Sequence, residues 1–407
     1  MHPLKEKTVL LCVGGGIAAY KAPELVRRLM DVGANVQVAM TKSAQAFITP
    51  LTLQAVSRRT VATDLLDPGQ DATIGHIDLA DRADIVLVAP ATADLIARMA
   101  QGRADDIVTA VLLATRAPVV VSPAMNSNML AHPAVSANIE TLAAYGHRII
   151  APDHGELACG HEGEGRMPDA DVLIAELSAA MTEQDLVGQT ILVSAGPTRE
   201  PVDPVRVLTN RSSGRMGYAV AEAALRRGAT VILVSGPTAL ARPRGCRFVA
   251  VETAAEMNTA IRENLAVSDV VLMVAAVADY RPIAPSASKI KKNDDHLVLE
   301  LEKTEDILAG LRSARGNRVL VGFAAETDNV IENAKAKLTR KRLDLIVAND
   351  VSAEGAGFDV STNSATLIER DGGQIETGLV TKSELADRIL DRVVVLRAAQ
   401  PAAIRRA

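Results

Sequence analysis

Thr8-Val9-Leu10-Leu11-Cys12-Val13-Gly14-Gly15-Gly16-Ile17-Ala18-Ala19 reads as an apolar strand that breaks at a glycine triplet and enters a helix. After a Gly33-Ala34 step the chain returns to a second strand beginning at Asn35-Val36. The same unit recurs at Thr190–Pro197, where another apolar strand is followed by a polar loop, Gly214-Arg215-Met216-Gly217, a helix and the step Gly228-Ala229-Thr230-Val231. Strands joined through helices require right-handed crossovers and hence parallel sheets. Two such openings in one chain predict two nucleotide-type sites.

Working outward, further strands are expected at Val36–Ala39, Ile85–Ala89, Val119–Val121 and Arg148–Ala151 in the first half. In the second half they are expected at Thr190–Ala195, Thr230–Ser235, Asp269–Ala275, Val319–Phe323 and Leu343–Ala348. Their nearly unbroken Val, Ile and Leu content suits sheets covered on both faces. Ser364–Thr377, with Asp371-Gly372-Gly373 inside it, reads as a hairpin, Ser383–Arg397 as a last helix, and the tail beyond Gln400 as frayed. The fold class is therefore α/β, two Rossmann-like domains with mostly parallel sheets. The domains are expected at 1–181 and 190–407, with 182–189 as a linker.

Composition narrows the function. The chain has 407 residues, ample for two domains. A net charge of −5 argues against a phosphate-backbone binder, and 2% aromatic residues with no Trp argue against stacking on single strands. No nucleic-acid partner is expected. The longest apolar runs, such as Asp84–Ala93, are too short to span a bilayer. Three dispersed cysteines, Cys12, Cys159 and Cys246, show no metal spacing and suit a reducing compartment. A cytoplasmic protein is expected.

In open parallel sheets, ligands bind beyond the carboxyl ends of strands. That rule selects Gly14–Ala18, Thr41–Ser43, Pro90–Leu95 and Pro123–Asn128. Singly, each candidate has an ordinary structural use. A glycine triplet turns the chain, His76 after Gly75 caps a helix, and Asn126 makes an Asx turn. Cys159 stands out more, because the glycine-rich run Ala158–Met167 reads as structureless and offers no core to pack against. In the second half, Ser212, Ser213 and Gly214 offer N-cap groups before an apolar helix. Lys289-Ile290-Lys291-Lys292 after a Pro/Ser loop reads either as a solvated face or as a lid over phosphates.

Together, Gly15-Gly16-Ile17-Ala18-Ala19-Tyr20-Lys21, Gly75-His76-Ile77, Pro123-Ala124-Met125-Asn126 and Ala158-Cys159-Gly160 resemble the flavin-dependent cysteine decarboxylases. The whole chain resembles the bifunctional phosphopantothenoylcysteine decarboxylase / phosphopantothenate–cysteine ligase family of coenzyme A biosynthesis. The resemblance implies a flavodoxin-like N-terminal flavoprotein domain and a C-terminal CTP-dependent ligase domain. FMN would contact Gly15, Gly16, Ile17, Thr41, Ser43, Thr92, Ala93 and Ala124. His76 would be a base or orienting group, Asn126 would hold the substrate carboxylate, and Cys159 would donate a proton from a flap. In the ligase half, 4'-phosphopantothenate and cysteine are joined at the expense of CTP, with Mg2+. Asn210 would stabilise the acyl intermediate, Arg206 would bind phosphopantothenate, and Lys289 would contact the nucleotide phosphates. Met273, Val274, Ala275, Asp279, Glu305, Asp306, Ile307, Leu308, Phe323, Lys337 and Lys341 match the remaining CTP positions. A homo-oligomer is implied, with trimer contacts in the N-terminal half and dimer contacts in the C-terminal half. Gly14, Asp94, Leu130 and Glu305 depart from the family's usual residues, and the metal ligands stay unassigned.

Two rival readings fit the chain less well. An NAD-dependent dehydrogenase would need G-x-G-x-x-G, but Ala19 stands at the last position and no acidic residue closes the strand Val36–Met40. A flavoprotein binding or regulatory subunit without turnover would have no use for a flap thiol.

Overall fold

The computed structural model describes residues 2–65, 75–158, 160–291, 297–312, 314–326, 329–350 and 360–399. Cys159 and the tail beyond Gln400 lie outside the described residues. The chain divides into two compact units, His2–Glu183 and Gln184–Ala407.

In the first unit β1 (Thr8–Val13), β2 (Asn35–Met40), β3 (Ile85–Ala91), β4 (Val119–Pro123) and β5 (Arg148–Ile149) form a parallel sheet in the order β2-β1-β3-β4-β5. This is the flavodoxin-like order. Alternate residues of β1 feed opposite cores. Val9, Leu11 and Val13 pack on one face with Leu25, Val26 and Leu29 of the helix Ala22–Asp31, while Leu10 and Cys12 pack on the other with Ile96 and Val108. Period two in the strand and i, i+3, i+4 in the helix place these side chains together. Burial pushes the Cys12 thiol far above its ordinary range, so it is a packing residue.

Part of the glycine-rich run read as structureless, Glu162–Arg166, is instead a strand. β6 (Asp153–Glu156) and β7 (Glu162–Arg166) form an antiparallel ribbon. The expectation failed because Glu and Gly lack strand propensity. Contact with the rest of the unit supplies what propensity does not. Met125 N–H donates to Gly165 O at 3.0 Å, and Ser127 Oγ donates to Glu164 O at 2.7 Å. Glycine is required at 165, where φ is +135° and a Cβ would stand 2.0 Å from Met125 O.

The second unit opens inside the stretch expected as a linker. Leu186 is buried in its core, and Asp185 pairs with the buried Arg227. β8 (Thr190–Ala195) is followed by a short ribbon of β9 (Arg199–Pro201) and β10 (Val207–Thr209). β11 (Thr230–Ser235), β12 (Arg247–Ala250) and β13 (Val270–Met273) come next, then a second ribbon of β14 (Tyr280–Pro282) and β15 (Leu301–Lys303). β16 (Val319–Glu326), β17 (Leu345–Asp350), β18 (Thr362–Glu369) and β19 (Gln374–Thr381) complete the list of strands among the described residues. The main sheet runs β12-β11-β8-β13-β16-β17-β18-β19. Its first six strands are parallel in the Rossmann order, and the antiparallel hairpin β18–β19 extends one edge. The helices Arg215–Arg226 and Lys382–Ala398 cover one face, and Ala254–Leu265 with Val330–Lys341 cover the other.

No described helix is long and apolar enough to cross a membrane.

Candidate functional site

Strand order reverses between β1 and β3 in the first unit and between β8 and β13 in the second. A crevice is expected at each reversal, because the helices that follow leave toward opposite faces. Each unit has its cavity there.

The first is a cleft of about 1020 Å3 at the carboxyl ends of β1, β3 and β4. Gly14 N–H donates to Pro90 O at 3.0 Å, which ties the triplet to the end of β3. A Cβ at Gly15 would meet Ser43 Oγ at 2.2 Å, so only glycine lets these two loops close on each other. Gly15, Gly16, Ile17, Ser43, Thr92, Ala93, Ala124 and Asn126 all line the cleft. Thr92 caps the helix Ala93–Ala100 through its side chain. Asn126 Oδ1 accepts from Asn128 N at 2.9 Å, so the Asx turn is present beside the cleft. Thr41 is buried and does not line it; its Oγ1 lies 3.2 Å from Ser43 Oγ and so fixes the residue that does. Ala158 and Gly160, which flank Cys159, lie on the cleft wall. His76 opens the helix His76–Arg82 and is half-buried, but it is not among the residues lining its own chain's cleft.

Sequence reasoning missed Tyr20, Lys21, Met129 and Arg166 as cleft residues. Lys21 Nζ donates to Met167 O and to Asp169 Oδ1, each at 3.0 Å, which places an ammonium group at the cleft. Tyr20 and Lys21 belong to the motif Gly15–Lys21 and Arg166 to the run Ala158–Met167, which were signals for them, and the short helical turn Ile17–Lys21 puts position 21 one turn after the triplet.

The second cavity is about 490 Å3 and lies over the ends of β8, β13 and β16. It brings together Met273, Val274, Ala275, Asp279 and Asn210 with Glu305, Asp306, Ile307 and Leu308, and with Phe323, Lys337 and Lys341. Ser194 Oγ accepts from Val274 N at 3.0 Å and from Ala275 N at 3.1 Å, holding the end of β13 against β8. Asn210 Nδ2 donates to Val277 O at 2.9 Å. The helix Arg215–Arg226 begins at Gly214, one of the three N-cap candidates, with φ +76° and no side-chain cap. Ser212 Oγ instead accepts from Gly214 N at 3.3 Å. Arg211 and Arg215 line the cavity, as do Asn349, Asn363 and Lys382 from the far end of the chain. No local pattern marked those last three. Asn349 Oδ1 is buried with no hydrogen-bond partner among the described residues. Lys289 and Arg206 are exposed and do not line this cavity.

The charges are arranged to be held, not neutralised. Burial works against ionisation of Asp306, yet the Ala309 N–H, Lys341 and the nearby Lys337 outweigh it and keep the carboxyl below its ordinary range. Asp203 behaves alike. Burial opposes its charge, but the N–H groups of Val205, Ile290 and Arg206 and the Arg206 guanidinium lower it. Glu305 accepts from Asn258 Nδ2 and Arg262 Nη2, both at 2.7 Å, which turns it toward the helix Ala254–Leu265.

Two family models match the chain. The one described as Flavoprotein covers residues 1–182, and the one described as DNA/pantothenate metabolism flavoprotein C-terminal domain covers residues 186–396. The coenzyme A biosynthesis bifunctional protein CoaBC of Bacillus subtilis (strain 168) is 48% identical over 397 residues, spanning 97% of this chain and 98% of that protein. Its counterpart from Escherichia coli (strain K12) is 49% identical over 399 residues, 96% of this chain and 97% of that protein. A crystal structure of the C-terminal domain of a CoaBC protein is 45% identical and covers 53% of this chain and 98% of its own, with a TM-score of 0.46. With near-complete coverage in both directions and both halves matched in order, the chain belongs to the family of bifunctional coenzyme A biosynthesis proteins.

Proposed function

We propose that this chain makes 4'-phosphopantetheine in two steps, a CTP-dependent ligation of 4'-phosphopantothenate to cysteine followed by an FMN-dependent decarboxylation. Residues 190–407 carry the ligase and residues 1–181 the decarboxylase. The observation that carries the reading is the pair of switch-point cavities, one lined by the flavin set except the buried Thr41 and the other by the nucleotide set except Lys289.

In the ligase, the substrate carboxylate attacks the α-phosphorus of CTP and pyrophosphate leaves. The cysteine amine then attacks the acyl cytidylate, forming the amide and releasing CMP. Charge grows on phosphoryl oxygens in the first step, so fixed cations stabilise it. Lys337 and Lys341 stand in the cavity for this purpose. Arg206 takes phosphopantothenate, Lys289 the nucleotide phosphates, and Asn210 the acyl intermediate. Among the described residues no group of three or more His, Cys, Asp or Glu could hold a metal. Mg2+ fits as an ion carried on the triphosphate, and Asp279, Glu305 and Asp306 are the carboxylates that line the cavity.

The first cleft suits FMN. Its glycine loop is shaped by close approach to Ser43, and Ile17, Ala93 and Ala124 offer apolar walls. Bound flavin supplies a two-electron exchange that makes the carboxylate of the cysteinyl group easy to lose. Asn126 holds that carboxylate, Gly15-Gly16-Ile17 and Ser43 hold the flavin phosphate, and the Cys159 thiol returns the proton. His76 orients the substrate. Its position outside its own cleft, with Ile17 57% and Tyr20 64% exposed at the cleft, supports an oligomer in which a second copy completes the site. Trimer contacts in the first unit and dimer contacts in the second fit that arrangement, in the cytoplasm.

Mass spectrometry of the products formed from phosphopantothenate, cysteine and CTP tests the reading. 4'-Phosphopantetheine and CMP are expected from a yellow protein. A coloured protein that leaves CTP intact would instead mark a binding subunit.

A further inference from the structure

Asp203 lies between β9 and β10 with its side chain fully shielded from solvent. Its Oδ1 accepts from Val205 N and Arg206 N, each at 2.8 Å, an Asx turn of the ordinary kind. A turn does not explain its other oxygen. Oδ2 accepts from Ile290 N at 3.1 Å and has Arg206 Nε at 3.5 Å. The circuit closes through Arg206 Nη2, which donates to Ile290 O at 2.6 Å. Ser286 N–H adds a bond to Val202 O at 3.0 Å. Both backbone polar groups of Ile290 are thus spent on this loop. The Cα of Lys289 is one peptide away, about 3.8 Å.

The backbone next to Lys289 is therefore tied to the turn that carries Arg206, with one buried carboxylate between them. A buried carboxylate is tolerated only where charge and hydrogen bonds compensate it. Its removal loosens the loop from the lysine segment, because the Arg206 guanidinium is then left as the turn's one hydrogen bond to Ile290, beside the Ser286–Val202 bond.

We infer that Asp203 is a positioning residue that binds Arg206 and Lys289 into one cationic unit for an anionic phosphate ester substrate. The inference rests on the ligase reading and adds a residue to it. Asp203 touches no substrate. It acts by fixing the spacing of two side chains whose exposed heads meet the substrate's phosphate and the nucleotide's.

The test uses the full chain. Asp203→Asn is compared with wild type for phosphopantothenate-dependent pyrophosphate release from CTP, for thermal melting, and for amide exchange at Ile290. The expected result is a tenfold or greater rise in KM for phosphopantothenate, a smaller change in kcat, and Ile290 exchange at least tenfold faster with an intact melt. In a Lys289→Gln background the same substitution should add less than twofold, since the two act through one unit. Full additivity, or an unchanged KM and unchanged Ile290 exchange in a folded variant, overturns the inference. Should Asp203→Asn fail to fold, Ile290→Pro decides. It removes the N–H that Oδ2 accepts, and an unaltered KM there overturns the inference equally. A wild-type chain that releases no pyrophosphate overturns the ligase reading itself, and the Ile290 exchange rates then still judge the clamp.

Discussion

Lys289 is exposed and sits apart from the cavity that its chemistry is meant to serve, whereas Lys337 and Lys341 are built into the wall. Lys337 Nζ donates to Phe323 O at 2.8 Å and Lys341 Nζ to Asp306 Oδ1 at 3.0 Å, so both are partly committed to the fold. Lys289 is exposed instead, on the segment that the Asp203 turn holds through Ile290. Lys289→Gln should therefore lower ligation by about a hundredfold or more, the scale of losing one charge-stabilising donor, while decarboxylation of supplied phosphopantothenoylcysteine is unchanged. Equal loss of both activities would mean misfolding. In the first unit, Cys159→Ser should release CO2 yet stall before the final reduction, read as an accumulating oxidised thiol product by mass spectrometry. Full turnover to phosphopantetheine would remove Cys159 from the donor role. At this scale the sequence was legible where a residue follows a strand directly, as with Thr92, Ala124 and Asn126. It was silent on Asn349, Asn363 and Lys382, which reach the cavity only through sheet order.

Loops between elements carry most of the specificity. The glycine triplet was readable as a turn, but its tight partner was not: Ser43 follows β2 and meets Gly15 only because β1 and β2 are neighbours. Gly15→Ala would drive a methyl group into Ser43 and displace one loop or the other. Overpacking of this kind costs about 1–3 kcal/mol. The variant should purify pale, with weak absorbance near 450 nm, and melt lower than wild type; retained full colour would show that the loops yield. The β6–β7 ribbon carries the opposite lesson. Its Gly and Glu content suggested a shapeless loop, because propensity scales register what a strand does alone. The bonds from Met125 and Ser127 that hold it are long-range, and no window of sequence contains both ends.

Across the whole molecule, stability should be sensitive to acid in both units. Asp84, in the first, is held below its ordinary range mainly by the Thr8 N–H, with burial opposing and Lys7 adding to the effect. Asp306, in the second, is lowered despite burial. A carboxyl whose folded pKa lies below its unfolded value of 3.8 gives its full stabilisation above that value. The stabilisation is lost as pH falls through the lower folded value. Melting temperature should thus be level between about pH 5 and pH 7 as far as these groups decide it, and fall below about pH 4. Asp84→Asn should flatten that acid limb, and a limb left unchanged would assign the loss to other groups. By itself the sequence determined the alternation of strands and helices, the two glycine-bearing openings and the residues that follow each strand. Those features are local, set by side-chain period and by backbone freedom within a few residues. Only the tertiary structure decided which strands are neighbours. That placed the crevices at β1/β3 and β8/β13, left His76, Arg206 and Lys289 outside the cavities of their own chain, and joined Asp203 to Ile290. Such pairings depend on loop closure over tens of residues, where burial of whole faces outweighs any local preference.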